Sequence, residues 1–489
     1  MNDMPGLRTE PAGTEIRREP REPRHTVHKT HSHLWNTLFP SRSALLIAIF
    51  TCIVAPVSLV ALHIHENPTF SPTDEAEHWD YLKTLAEGKI PRLGQRLQPS
   101  TIRALECRLT GLHGFVLPPC GSLPSPKVYP GGGYEYEAQQ PPGYYALTIP
   151  IRWIGIDVLG FDDLTASRIG GIVWLVAGLL LFWAAGRLLR LGPATVGLGA
   201  LLIASAPAIV YQSSYVSNDA SSVTAGAVAL FLSALALRRP GRWMVPVMFV
   251  GGIFIVALKV SDALAIIVVS VLFGVLAYSM RSGLRASRQG GSQCLRWWWP
   301  RGGAILFGGA FGALTWTVIE RRLALINART LPSFSGLRKV PIGTTTILRE
   351  ALLMLQPLTG SYDPFRTTNS ATPPMSSVSV DLQMIVATAL QYLLLAGGLA
   401  GLFVIRRQWS HWVGLVTLPA LYFGGVAVGI AIFITYDADP SISGRYALSL
   451  APFLVLALIA SIRGRWVERG LWIFALSSFG LGFFFLLSG

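Results

Sequence analysis

Apolar runs about as long as a bilayer is thick recur from one end of this chain to the other. Nothing else in the sequence constrains the fold as strongly. A helix needs about 20 mainly apolar residues to cross the hydrocarbon core. Runs that meet this lie near 43–63, 168–189, 193–211, 219–237, 243–258, 262–280, 302–320, 383–405, 411–436, 445–462 and 469–488. In lipid every backbone polar group must be satisfied internally, which leaves helices or a closed barrel; continuous runs of this length select helices. The expectation is an all-α polytopic membrane protein with about eleven spans. The pairs 193–211 with 219–237 and 243–258 with 262–280 stand so close that their boundaries blur by several residues. The shorter apolar segment 141–156 is expected to lie on the membrane surface as an amphipathic helix.

Charge then sets the orientation. Of 489 residues, 51% are hydrophobic and 13% charged, with a mean hydropathy of +0.48; a soluble chain carries about a quarter charged residues. The net charge of +14 would suit nucleic acid if it formed one basic patch. It is instead split into short clusters between apolar runs, the pattern of cytoplasmic loops, so no nucleic-acid partner is expected. Alternate loops carry Arg187 and Arg190; Arg238, Arg239 and Arg242; Arg281, Arg285, Arg288, Arg296 and Arg301; Arg406 and Arg407; Arg463, Arg465 and Arg469, with Glu468 the one acid among them. The segment 1–42, basic and rich in Pro, Arg, Glu and His, reads as a disordered cytoplasmic tail ahead of an uncleaved anchor. The remainder, 43–489, reads as one transmembrane domain in the plasma membrane. Its two large extracytoplasmic loops would be 64–167 and 321–382, the first carrying juxtamembrane helices.

Polar residues gather on that same outer side. The small outer loops hold Asn218 and Asp219, then Lys259 to Asp262, then Tyr436 to Arg445, while the spans are almost free of charge. An ion-coupled transporter places ionisable groups near the bilayer midplane; groups at one surface suit chemistry done there. No Gly-Lys-Ser phosphate loop and no CxxC pair occurs, so neither a nucleotide cofactor nor a structural zinc is expected. Cys52 falls in the first span and Cys294 in a cytoplasmic loop. Cys107 and Cys120 share the first outer loop, flank a Gly/Pro-rich turn and are expected to form a disulfide.

The stretch after the first span is the most informative: Ser71-Pro72-Thr73-Asp74-Glu75-Ala76-Glu77-His78-Trp79-Asp80-Tyr81, running to Pro91. Ser71 or Thr73 can cap a helix, with Pro72 in its first turn. Asp74 and Glu75 then lie four and three residues before His78, on a shared face. The competing reading is that acids in a first turn complement the helix dipole.

An acidic pair followed by His, an aromatic and a Leu-x-x-Gly-x-x-Pro-like run, just past the first span, resembles the GT-C superfamily of polytopic glycosyltransferases. These use polyprenyl-phosphate-linked sugars, and this chain looks closest to their bacterial, poorly characterised members. Tyr136-Glu137-Ala138-Gln139-Gln140-Pro141-Pro142-Gly143-Tyr144-Tyr145 is similar to the superfamily's proline–aromatic motif, with Gln139-Gln140 where His is commoner. Ser214 to Ala220, Ala257-Leu258-Lys259-Val260 and Gly444-Arg445-Tyr446 are similar to further recurrent elements, in the same order. The resemblance implies sugar transfer from a polyprenyl-phosphate donor to a hydroxyl of a cell-envelope glycan, lipid or protein. It puts the catalytic base on Asp74, with Glu75 as the adjacent acid. Lys259 and Arg445 would hold the donor phosphate. His78, Glu137 and Asp219 would orient the acceptor. Glu75, His78 and Glu137 form the candidate ligand set for a divalent metal ion. A flippase or transporter of lipid-linked sugars, and a non-catalytic cell-wall assembly scaffold, are the alternative classes.

Overall fold

The computed structural model describes residues 36–71, 74–108, 118–122, 128–239, 241–284, 292–327, 348, 352, 354–358, 377–404, 409–436 and 444–488. The expected tail 1–42, the outer loop 321–382 and the Arg406–Arg407 cluster fall wholly or largely outside them. All regular structure among the described residues is helical; the one extended pairing there is an isolated bridge between Arg96 and Tyr134.

The first span, α1 (Arg42–Glu66), is followed by three loop helices: α2 (Glu75–Ala86), α3 (Pro99–Arg108) and α4 (Gly143–Trp153). Then come α5 (Asp163–Leu188), α6 (Pro193–Ala204), α7 (Pro207–Ser214), α8 (Ser222–Arg238), α9 (Met244–Leu258) and α10 (Ala263–Leu284). The C-terminal part comprises α11 (Ser292–Leu323), α12 (Ser377–Val404), α13 (Trp409–Tyr436), α14 (Ala451–Ser461) and α15 (Arg465–Ser488). Among the described residues, eight helical stretches are long and apolar enough to cross a membrane, or nine if α6 and α7 count as one span. The protein is therefore a multi-pass membrane protein, all-helical among the described residues. That is fewer spans than hydropathy alone suggests, for two reasons. The run 193–211 breaks where Pro207 withdraws its amide, bending α6 against α7 by 62°. The stretches Met244–Leu258 and Met384–Leu399 are apolar but shorter.

Close helix contacts need small residues, because lipid tails are as apolar as the side chains and give no hydrophobic drive between helices. Gly171 of α5 lies against the Ser213 carbonyl of α7, and Gly226 of α8 against the Ser449 carbonyl; a Cβ at either would collide with that backbone. The ends of the bundle then differ in kind. At one end, arginines meet helix C-termini: Arg187 donates to the Thr37 carbonyl (3.1 Å), Arg238 to that of Leu188, and Arg301 to that of Ala236 (3.1 Å). Cations there complement the last unpaired carbonyls.

The opposite end carries the loop helices. Asp80 of α2 accepts from the Gln98 amide (3.0 Å) and the Thr101 hydroxyl, fixing the start of α3. A disulfide joins Cys107 to Cys120, and Glu106 beside it accepts from the Gly121 amide (2.8 Å) and the Tyr129 hydroxyl. On α4, Tyr144, Tyr145 and Thr148 are buried, whereas Leu147, Trp153 and Ile154 are exposed. Asp162 caps α5 by accepting from Leu164 and Thr165 amides (3.2 and 3.5 Å).

Candidate functional site

The sequence places Asp74 inside a capped helix; the structure places it just before one. Helix α2 begins at Glu75, and Asp74 is its N-terminal boundary residue in the left-handed region (φ 57°, ψ 5°), with no side-chain cap to the helix. Asp is one of the few non-glycine residues that adopt this conformation singly.

The next residue, Glu75, is turned into the protein. Its Oε2 accepts from the Ser71 amide (2.6 Å) and its Oε1 from the Val216 amide (3.0 Å). Arg168, from the first turns of α5, donates Nε to Oε1 (2.7 Å) and Nη2 to Oε2 (2.8 Å). The same guanidinium donates to the carbonyls of Asn67 and Thr69, each at 2.6 Å. Glu75 is 0% exposed and Arg168 1%. One sealed ion pair thus ties the end of α1, the 67–71 turn, the start of α2 and the 214–217 turn together. Its geometry is the two-pronged one that makes Arg–carboxylate pairs strong.

With Glu75 turned inward, the Asp74 carboxylate points the other way. Its Oδ1 accepts from the Tyr136 hydroxyl (2.6 Å) and its Oδ2 from Arg445 Nη2 (2.9 Å). Arg445 Nη1 lies 3.6 Å from Asp219 Oδ2, and Asp219 Oδ1 pairs with the Lys259 ammonium. Ser217 steadies Asp219 through its hydroxyl, which donates to Oδ2 at 3.3 Å. Lys259 also stands 4.7 Å from the centre of the Tyr446 ring. The side chains of Arg445 and Asp74 are 18% and 26% exposed, whereas those of Lys259 and Asp219 are 3% and 2%. The site is a row of alternating charges, closed at the Lys259 end and open at the Asp74 end.

The wall beside this row is acidic and aromatic. His78 Nδ1 lies 2.7 Å from the Tyr145 hydroxyl and 3.7 Å from Glu137 Oε2. Tyr145 stacks on Tyr81 with ring centres 3.8 Å apart, and the Tyr81 hydroxyl donates to the Gln140 carbonyl (3.0 Å). Trp316 of α11 donates to the Gln139 carbonyl (2.7 Å), anchoring the motif from another span. Burial, reinforced by the Asp74 charge, pushes Glu137 up to about 8 against the pull of Arg445 and Lys259. Burial holds His78 down at about 4 even though the Asp74 carboxylate favours the imidazolium. Near neutral pH the His78–Glu137 contact is therefore an uncharged one. Burial would also raise Asp74, but the Arg445 guanidinium and the Tyr136 hydrogen bond outweigh it and hold the carboxyl below the usual range. Burial, then the neighbouring Asp74 charge, raises Glu77 well above that range.

The structure brings Asp74, Lys259, Arg445, Asp219, His78 and Glu137 into one neighbourhood and separates Glu75 from it. Glu75 is corrected in both expected roles. Four donors take its two oxygens, so it has no lone pair to offer a substrate proton or a metal ion. The set Glu75, His78 and Glu137 does not fit a divalent cation for that reason. Among the described residues no cluster of three or more His, Cys, Asp or Glu is disposed to hold a metal ion. Sequence reasoning also missed Arg168 and the pairing of Tyr136 with Asp74. Arg168 carried a signal: it is a cation at the end of a span where the arginine pattern expects none.

No protein-family model matches this chain, and no curated protein matches it.

Proposed function

We propose that this protein is a GT-C-type glycosyltransferase that moves a sugar from a polyprenyl-phosphate donor to a hydroxyl of a cell-envelope glycan, lipid or protein. In this reading the chain crosses the plasma membrane about eleven times, with α9 and α12 completing the count, and the site faces the extracytoplasmic side. One observation carries the reading: a partly exposed carboxylate, Asp74, pairs with the span-end cation Arg445, whose second partner Asp219 is paired in turn with the span-end Lys259.

The chemistry follows from that arrangement. The donor arrives with its leaving group attached, so no nucleotide site is needed. The acceptor oxygen forms a bond to the anomeric carbon as the bond from that carbon to the phosphate oxygen breaks. The acceptor proton passes to Asp74, and the bonding pair leaves on the polyprenyl phosphate. Arg445 offers a planar fork to that phosphate, and the buried Lys259 ammonium, paired with Asp219, adds positive potential behind Arg445, stabilising the charge that grows on the phosphate. His78, neutral at neutral pH, can accept or donate a hydrogen bond to an acceptor hydroxyl alongside Glu137 and Tyr145. The apolar faces of the spans accommodate the lipid tail.

Incubating the purified protein with a panel of polyprenyl-phosphate sugars should yield sugar transfer and free polyprenyl phosphate. Movement of an intact lipid-linked sugar across a liposome bilayer, with no cleavage, would favour the flippase class instead. Neither outcome would leave the scaffold class. For orientation, a Cys placed at Ser122 should react with an impermeant maleimide in intact cells; reaction only after permeabilisation would reverse the topology.

A further inference from the structure

Resting on the donor-site reading above, we infer that Asp74 is a placeholder for the donor phosphate: it holds Arg445 while the site is empty and surrenders it when the phosphate enters. The geometry points to this exchange because each oxygen of the Asp74 carboxylate already carries one strong donor. Oδ1 takes the Tyr136 hydroxyl and Oδ2 takes Arg445 Nη2. Donors to the charged form make a carboxylate a weaker base. A general base needs a lone pair within hydrogen-bond reach of the proton it removes.

Two features single out the Asp74–Arg445 contact as the one that opens. It is at the exposed end of the charge row, with side chains 26% and 18% exposed, whereas the Asp219–Lys259 pair is sealed at 2% and 3%. Arg445 also has a second carboxylate within reach, Asp219 Oδ2 at 3.6 Å from Nη1. The guanidinium can therefore keep its anchor on Asp219 through one nitrogen and present the other to phosphate. A phosphate accepts both prongs of such a fork.

Charge supports the same order of events. In the empty site the cations Arg445 and Lys259 balance the carboxylates Asp74 and Asp219. A phosphodiester adds one negative charge, and the acceptor proton arriving on Asp74 removes one from the protein as the phosphate takes up the bonding pair. Donor binding would then both seat the leaving group and release Asp74 from its guanidinium partner, so the base is strongest once there is something to transfer.

The alternative is that Asp74 positions Arg445 for the phosphate, and the two accounts predict opposite signs. Binding of a short-chain polyprenyl phosphate to protein in nanodiscs separates them, with the same prenol lacking phosphate as the blank. If Asp74 competes for Arg445, Asp74→Asn should bind the phosphate about fivefold more tightly than the parent, the size of a partly exposed ion pair. Arg445→Gln should bind it more weakly, and the double variant should show no gain from Asp74→Asn. Thr101→Val, which loosens α2 at Asp80 and away from the charge row, reports whether any gain comes from general loosening; it should leave affinity unchanged. Weaker or equal binding by Asp74→Asn, with clear binding by the parent, would overturn the exchange and leave the donor site intact. A parent that binds the phosphate no better than the prenol would overturn the donor site itself, and the exchange with it.

Discussion

Two carboxylate–arginine pairs stand side by side in this protein, on adjacent residues, and they are built to opposite specifications. Glu75–Arg168 is closed: both partners are almost fully buried, and the guanidinium and carboxylate are saturated by each other and by four backbone groups. Asp74–Arg445 is open: both side chains meet solvent, and Arg445 divides itself between two carboxylates. The closed pair has nothing left to offer a ligand. The open pair can change partners at modest cost. The difference teaches that an acidic doublet can split into a sealed structural half and an open half, the one to which the proposed chemistry is assigned.

The largest effect that would sharpen this contrast comes from the closed pair. Arg168→Met leaves the Glu75 carboxylate buried and uncompensated, a loss of about 3–5 kcal/mol. Thermal unfolding in detergent should show it as a marked drop in Tm or loss of folded protein. Adding Glu75→Gln should recover part of the loss, because the amide needs no counter-charge. A single Arg168→Met variant as stable as the parent would break the assignment of this pair as the staple.

A smaller effect lies in pH. Glu137 is raised to about 8 from an ordinary value of 4.5, so the folded state binds the extra proton and stability falls as pH rises through that interval. His78 is lowered to about 4 from 6.5 and works the other way, its contribution growing as pH rises from 4 to 6.5. The two oppose each other at acid pH, and above 6.5 only Glu137 remains of the two. The stability difference between the parent and Glu137→Gln should therefore shift against the parent between pH 6.5 and 8, by no more than about 2 kcal/mol. A difference flat across that interval would mean Glu137 stays ionised.

The smallest effect concerns the open pair's third member. Tyr136→Phe removes one hydrogen bond from Asp74, worth about 1 kcal/mol, while Arg445 still holds the other oxygen. Unfolding should shift only slightly. A collapse comparable to that of Arg168→Met would mean the open pair is structural too.

What the sequence discloses and what it hides follows from how far apart the interacting residues lie. The spans are legible because lipid forces local satisfaction of the backbone, and the gathering of Asp219, Lys259 and Arg445 near one bilayer end follows from their places at span ends. The bend at Pro207 is less legible, since a hydropathy window reads through a single proline. The division of labour between Asp74 and Glu75 is hidden. It depends on Arg168, 93 residues further on, and on the Val216 amide, 141 residues on. Local capping rules start the helix near Ser71 or Thr73; the distant guanidinium takes Glu75, and the helix begins there instead. Tyr136 meets Asp74 across 62 residues for the same reason.

The most direct test of the central claim, that Asp74 is the base of a sugar-transfer site, is the turnover of Asp74→Asn with a polyprenyl-phosphate sugar that the parent uses. The amide keeps the size of the side chain and can still accept from Tyr136, so the fold should persist. Loss of a general base typically lowers the rate by about 10²–10⁴-fold. The account predicts a loss of that order with unfolding close to that of the parent. Transfer at close to the parental rate would contradict it.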